Sequence, residues 1–192
     1  ALYNYGETFL TGDATALTIS LYVSNTGDLM IEDGARLAAS SFEQVAGATT
    51  IVDQASLSFG RVFGGATGTL SLTDSTGGGS ALTFGEDGTG SSTFAGVIED
   101  YTSGSGSVTK AGTNTIRLTG DNTYTGGTTI SGGTLQLGDG GATGSVLGDV
   151  TNDGALVFNR SADLTFTGLI SGTGSVTQAG GGTPILTADN TY

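Results

Sequence analysis

The feature that most limits what this chain can fold into is a long internal repeat. Gly104 to Tyr124 reads GSGSVTKAGTNTIRLTGDNTY and Gly172 to Tyr192 reads GTGSVTQAGGGTPILTADNTY; the offset is 68 residues, and 14 of the 21 aligned positions are identical. Upstream, Phe94-Ala-Gly-Val-Ile98 matches Phe166-Thr-Gly-Leu-Ile170, with four extra residues within Glu99 to Ser103 of the first copy. Self-similarity at a fixed period marks a solenoid or an array, in which each unit buries its apolar side against its neighbours.

The local pattern says what each unit is made of. Gly, Thr and Ser supply 88 of the 192 residues, yet the chain is not of the disordered type, because apolar side chains recur at alternate positions. Leu17/Ile19/Leu21, Leu70/Leu72, Leu82/Phe84, Ile116/Leu118, Leu135/Leu137, Leu156/Phe158 and Leu164/Phe166 are such sets. Period-two alternation in a Thr-rich frame is the signature of half-buried strands, and no segment has helical periodicity. Strands are expected at, among others, 16–23, 35–39, 92–98, 106–110, 114–119, 127–131, 134–137, 145–150, 155–158, 163–168, 174–178 and 183–187. Three rungs of roughly 22 to 23 residues would fill the repeat, and about eight rungs at about 4.8 Å each make a rod on the order of 40 Å long. Ile116, Leu118, Ile130, Leu135, Leu137, Leu156, Phe158, Leu164, Phe166, Val176 and Leu186 are expected to share one continuous core. Pro184 stands where the first copy has Ile116, so it belongs at a strand start or an irregular corner.

Charge excludes several partners. The net charge is −13, and the cations are Arg36, Arg61, Lys110, Arg117 and Arg160. Five scattered cations do not build a phosphate-tracking surface, so nucleic acid is not an expected partner. An anionic membrane repels such a chain, and no apolar run reaches spanning length. No signal peptide is visible. The chain starts at Ala1 and stops inside a repeat at Tyr192, so it is expected to be a fragment cut at one or both ends.

The residue types also limit chemistry. With no Cys and no His, disulfides, thiolate metal sites, thiol catalysis and a Ser-His-Asp triad are excluded. Parallel solenoids that cleave polysaccharides use clustered carboxylates beside a cation, and Asp149 and Asp153 with Arg160 are the candidates for such a group. The competing reading is that the two aspartates cap turns. Gly138-Asp-Gly-Gly141 and Gly85-Glu-Asp-Gly88 resemble calcium loops, but neither recurs at nine residues. Gly77-Gly78-Gly79 lacks the Lys-Ser/Thr of a phosphate loop, and Asn159-Arg-Ser161 is a glycosylation-like sequon. The recurring Asp-Asn-Thr-Tyr tetrads at 121–124 and 189–192 read as structural, Asn at a tight corner and the ring packed on a neighbouring rung. No catalytic, cofactor-binding or metal-binding residue is therefore assigned, no cofactor is expected, and the chain reads as a non-enzyme.

Gly106-Ser-Val-Thr-Lys-Ala-Gly112, Thr115-Ile-Arg-Leu-Thr-Gly120, Asp121-Asn-Thr-Tyr124, Thr125-Gly-Gly-Thr-Thr-Ile130 and Gly132-Gly-Thr-Leu-Gln-Leu-Gly138 together resemble the passenger-associated transport repeat of bacterial autotransporters. The resemblance covers one full copy, about 104–138, and one truncated copy, 172–192. Pro184 and Ala188 depart from it, and residues 1–90 match only in texture. It implies an all-β, right-handed, single-stranded parallel β-helix carried to the outer surface of a Gram-negative cell by a C-terminal β-barrel. On this reading residues 1–192 form one continuous solenoid, with degenerate rungs over 1–98 and repeat rungs over 99–192. The function it implies is a stalk in a secreted or surface-bound passenger, supporting adhesion to a host surface and stepwise folding during export. The competing reading is an extracellular filament or matrix protein that stacks end to end through open rungs. The four extra residues at 99–103 are expected to leave the coil as a loop, with Tyr101 as its one large ring.

Overall fold

A computed structural model describes residues 2–4, 8–10, 16–19, 23–32, 35–44, 47–73, 79–85, 90–101 and 104–192. Within these residues there is no helix. All strand pairs are parallel, and the chain coils as a solenoid with three sides per turn.

The first side stacks Ala16–Ile19, the first part of Arg36–Gln44, the first part of Ser56–Gly64, Ala81–Phe84, Ser107–Lys110, Thr128–Ile130, Val150–Asn152 and Ile170–Ser171. Among the described residues eight strands thus lie in one column, in line with the expected number of rungs. The second side carries Leu2–Asn4, Val23–Asn25, the later parts of the two long strands, Ser92–Phe94, Thr115–Leu118, Thr134–Leu137, Ala155–Phe158 and Ser175–Gln178. The third side starts as Thr8–Leu10, Asp28–Ile31, Thr49–Asp53, Thr69–Thr73 and Val97–Asp100. It thins to a bridge between Asp121 and Ser145 and resumes as Leu164–Phe166 on Pro184–Leu186. Pro184 opens its strand, where the missing amide costs no ladder bond.

The turn is shorter than expected. From residue 107 onward, in-register strand partners are 19 to 22 residues apart, as in Ile116 to Leu135 and Thr128 to Val150, and the isolated bridge from Asp121 to Ser145 spans 24. The 68-residue repeat is therefore not three rungs. It runs three turns and then one more side. Val108 lies on the first side, paired with Leu82 and Thr128, while Val176, its counterpart, lies on the second, paired with Leu156. Ile116 is on the second side and Pro184 on the third. The second copy is rotated by one side of the coil.

The alternating apolar side chains fill the interior. Ile116, Leu118, Ile130, Leu135, Leu137, Leu156, Phe158 and Phe166 are buried, and Leu164, Val176 and Leu186 are half-buried against them. In the earlier turns the rings of Phe42 and Phe59 stack with centroids 4.5 Å apart. Removal of this apolar surface from water is the main stabilising term, and each turn obtains it only from its neighbours.

Three expectations about elements need correction. The strand expected at 92–98 is two strands, because the chain turns a corner at Gly96, where a Cβ would stand 2.2 Å from Gly68 O. Of the strand expected at 145–150, only the Ser145 bridge and the start of Val150–Asn152 form. Glu99 and Asp100 do not loop out. They continue the strand from Val97 because Ser71 and Leu72 of the turn before lie in register beneath them, and the Tyr101 amide still donates to Leu72 O at 2.8 Å. Tyr101 itself is 49% exposed. Residues 102 and 103 lie outside the described residues.

Candidate functional site

The candidate triad does not come together. Asp149 accepts a hydrogen bond from the Leu169 amide at 2.8 Å. Asp153 accepts from both the amide and the hydroxyl of Thr173 at 3.0 Å. Arg160, only 8% exposed, donates to Asp121 at 3.2 Å and to Gly144 O at 2.9 Å. Each group makes its own separate contacts, and the two aspartates reach the following turn, 20 residues on, instead of capping the turns they sit in. Asp139 of the first calcium-like loop is exposed; Glu86 and Asp87 of the second lie outside the described residues, as do Gly77 and Gly78. Among the described residues no three acidic side chains gather as metal ligands would.

The tetrads are corner pieces. Asn122 is buried, accepts from the Ile98 amide at 2.9 Å and donates to Gly120 O and Ser145 O, each at 2.9 Å, so one side chain ties three successive turns. Asn190 joins two turns at its own corner, accepting from the Ile170 amide at 2.7 Å and donating to Ala188 O at 2.9 Å. Ile98 is on the third side and Ile170 on the first, so the motif caps whichever side it reaches. Tyr124 is fully buried with its hydroxyl 2.7 Å from Thr128 Oγ1, and burial pushes its phenol far above the usual range. Its counterpart Tyr192 is half exposed.

A second set of contacts recurs on the outside. Asp100 accepts from the Thr125 amide at 2.8 Å, the Thr125 hydroxyl at 2.6 Å and the Gly106 amide at 2.7 Å. Asp121 holds the Gly144 amide and the Ser145 hydroxyl, and Asp163 holds the Thr183 amide at 2.7 Å. With Asp149 and Asp153, five carboxylates accept from the turn that follows, and Asp100 additionally grips the start of the strand Ser107–Lys110. Bonds with a charged acceptor are the stronger kind.

Buried polar groups not foreseen from the sequence line the corners. Asn25, Gln44 and Thr50 bond to one another and to the carbonyls of Thr49, Ala48 and Thr69. Lys110 is fully buried between Phe84 and Ile130 in the first column. Its ammonium donates to Ala111 O, to Gly112 O at 3.3 Å and to Gly132 O at 3.2 Å, and burial lowers it to about 8. The signal is present in the sequence: Lys110 has the same parity as Val108, and parity decides which side of a strand faces inward.

Comparison with known proteins fits this geometry. The family model described as passenger-associated-transport-repeat matches residues 108–137 and 176–192, the segments in which the tetrads recur. Those two segments match passenger-associated transport repeats. These repeats, set in a parallel solenoid, resemble those of autotransporter passengers. Over 94 residues it is 47% identical to the adhesin BmaC autotransporter of Brucella suis biovar 1 (strain 1330), a match that takes in 48% of this chain and 3% of that protein. The chain thus spans a small fraction of the length of that relative. No solved structure matches.

Proposed function

We propose that this passenger segment is a mechanical stalk: a length of β-helix that holds an adhesive region of the same polypeptide away from the cell surface. The observation that carries the reading is the unbroken in-register stacking of the first two sides through both repeat copies, with corner side chains spent on binding one turn to the next. The likeness to an adhesin autotransporter supports a place on the outer surface of a Gram-negative cell, with a C-terminal β-barrel as exporter. Residues 1–98 serve as degenerate turns and 99–192 as repeat turns of one solenoid. Stacking is nearest-neighbour and cumulative, so each turn that folds outside templates the next and biases transport outward. The segment performs no catalysis on this reading.

The test uses the full-length protein on whole cells, with Leu137→Asp in this segment. The expected outcome is fewer displayed passengers, measured by surface labelling, with adhesion per displayed molecule unchanged. A purified segment that itself binds host cells or matrix, or turns over a polysaccharide, sinks the stalk reading. Sedimentation of the purified segment over a concentration range checks the filament alternative, which demands growth with concentration.

A further inference from the structure

The rotation of the second copy raises a problem of specificity. Closely similar sequence packs on two different sides, so the core alone does not dictate where a strand sits. Within a column the problem is sharper. Inward positions two residues apart are both apolar, as in Leu135/Leu137 beneath Leu156/Phe158, and outward positions are mostly Thr, Ser or Gly. Slipping one strand by two residues keeps every inward side chain inward. Weakly patterned, Gly-rich strands are the ones prone to slip.

The outer carboxylates break this degeneracy. Asp100 holds the amide of Gly106 and both the amide and the hydroxyl of Thr125. Gly106 leads into Ser107–Lys110 and Thr125 leads towards Thr128–Ile130, the next strand up the column. One carboxylate thus fixes the starting points of two adjacent strands. Asp153 repeats the device: it shortly precedes Ala155–Phe158 and grips Thr173, which stands just before Ser175–Gln178, the strand stacked upon it. Each contact reaches a specific residue of the next turn, and a slip of two residues would carry that residue out of hydrogen-bond reach, because it moves the chain by about 6.6 Å.

We propose that Asp100 and Asp153 are register locks: their contacts with Thr125 and Thr173 select one alignment of adjacent strands among several that the core would accept. The role is positional and separate from the stalk reading, since a lock on register is needed whatever the rod displays.

Paired cysteine substitutions read the register directly. Thr109 and Thr129 are outward-facing partners in adjacent strands, about 4.8 Å apart and within disulfide range. Thr109 and Ser131 are diagonal, beyond the roughly 7 Å limit for a disulfide without backbone movement, and come opposite each other only after a two-residue slip. One double variant, Thr109→Cys with Thr129→Cys, reports the native register; the other, Thr109→Cys with Ser131→Cys, reports the slipped one. With Asp100 intact, the first pair is expected to cross-link on oxidation and the second to cross-link little. Asp100→Ala raises the slipped-to-native ratio of cross-linking by roughly tenfold or more, the worth of losing charge-assisted bonds, while the sheet signal in circular dichroism persists. Thr125→Val, which removes only the hydroxyl, gives a smaller rise. At the other lock, Asp153→Ala is measured in the same way. There Val157→Cys with Thr177→Cys reports the native register, and Val157→Cys with Ser175→Cys reports the slipped one. An unchanged ratio in both aspartate variants overturns the proposal. So does loss of the sheet signal in both, because the carboxylates would then be needed for stacking itself and not for choosing its register.

Discussion

Lys110 and Gln178 hold the same place in the two copies, and each turns a side-chain nitrogen onto the carbonyl of the glycine two residues on, Gly112 at 3.3 Å and Gly180 at 2.9 Å. One fills its corner with a charge and the other with a neutral amide. The charge sits in a fully buried position, and desolvation lowers the ammonium to about 8, against about 10.4 for a lysine in an unfolded chain. Between those values the unfolded state binds more protons than the folded one, so stability rises with pH across that window. Below about pH 8 the ammonium is charged in both states, and its desolvation is a cost that its three carbonyl acceptors offset only in part.

Lys110→Gln, which installs the side chain of the second copy, is therefore expected to stabilise the segment at pH 7 by about 1–2 kcal/mol. The parent should gain on the variant as pH rises from about 8 to about 10.4. Thermal melts of both proteins across that range check the sign. A variant less stable than the parent at pH 7 would mean that the ammonium–carbonyl bonds outweigh the desolvation.

Leu137 is fully buried and lies in register between Leu118 and Phe158. Leu137→Asp places an unpaired charge in a core one side chain thick and should cost at least about 4 kcal/mol. Thr119→Ser, on the outside, should stay within about 0.5 kcal/mol. Denaturant titrations separate the two; coincident curves would remove Leu137 from the core.

How much of this is legible beforehand depends on what a one-dimensional pattern records. Alternation records which way a side chain points, so the core positions from Ile116 to Leu186 are legible, and so is the parallel stack implied by the repeat. Alternation does not record which side of the coil a strand occupies, because all three sides use the same parity. That is why the rotation of Val176 relative to Val108 is invisible in it. The length difference between copies suggests a loop at 99–103, whereas Glu99 and Asp100 extend a strand because Ser71 and Leu72 offer partners; Glu99 even accepts from the Ser71 hydroxyl at 3.1 Å. The acid–cation group Asp149, Asp153 and Arg160 rests on proximity in sequence. In a coil whose stacked partners are 19 to 22 residues apart, residues a third or half of a turn apart fall on different sides, and these three face different corners.

The corner asparagines give a graded test. Asn122 makes three bonds across three turns in a buried setting, whereas Asn190 is half-buried and makes two. Asn122→Ala leaves the Ile98 amide and two carbonyls without these partners and should cost about 2–4 kcal/mol, with about half that for Asn190→Ala. Hydrogen exchange at the Ile98 amide should accelerate in the first variant. Equal costs at both sites would mean that burial does not set the value of these contacts.

The glycines at one corner stand in a column, and the column limits how closely turns can stack. A Cβ on Gly96 would lie 2.2 Å from Gly68 O, and one on Gly120 would lie 2.1 Å from Gly96 O. Real side chains do not approach backbone so closely, so Gly120→Ala must push two turns apart where the stacked sheets on either side hold them at the strand spacing of about 4.8 Å. The strain has nowhere to relax in a solenoid, because widening one corner tilts the sheets next to it. The expected cost is about 1–3 kcal/mol, larger than the loss normally caused by a small surface change. Gly181→Ala is the control, since a Cβ there meets nothing within 4 Å, and it should be neutral or slightly stabilising through the unfolded chain. Paired melts of the two variants decide the matter: if Gly120→Ala is as harmless as Gly181→Ala, the corner has slack and the close approach is not what holds the turns in step.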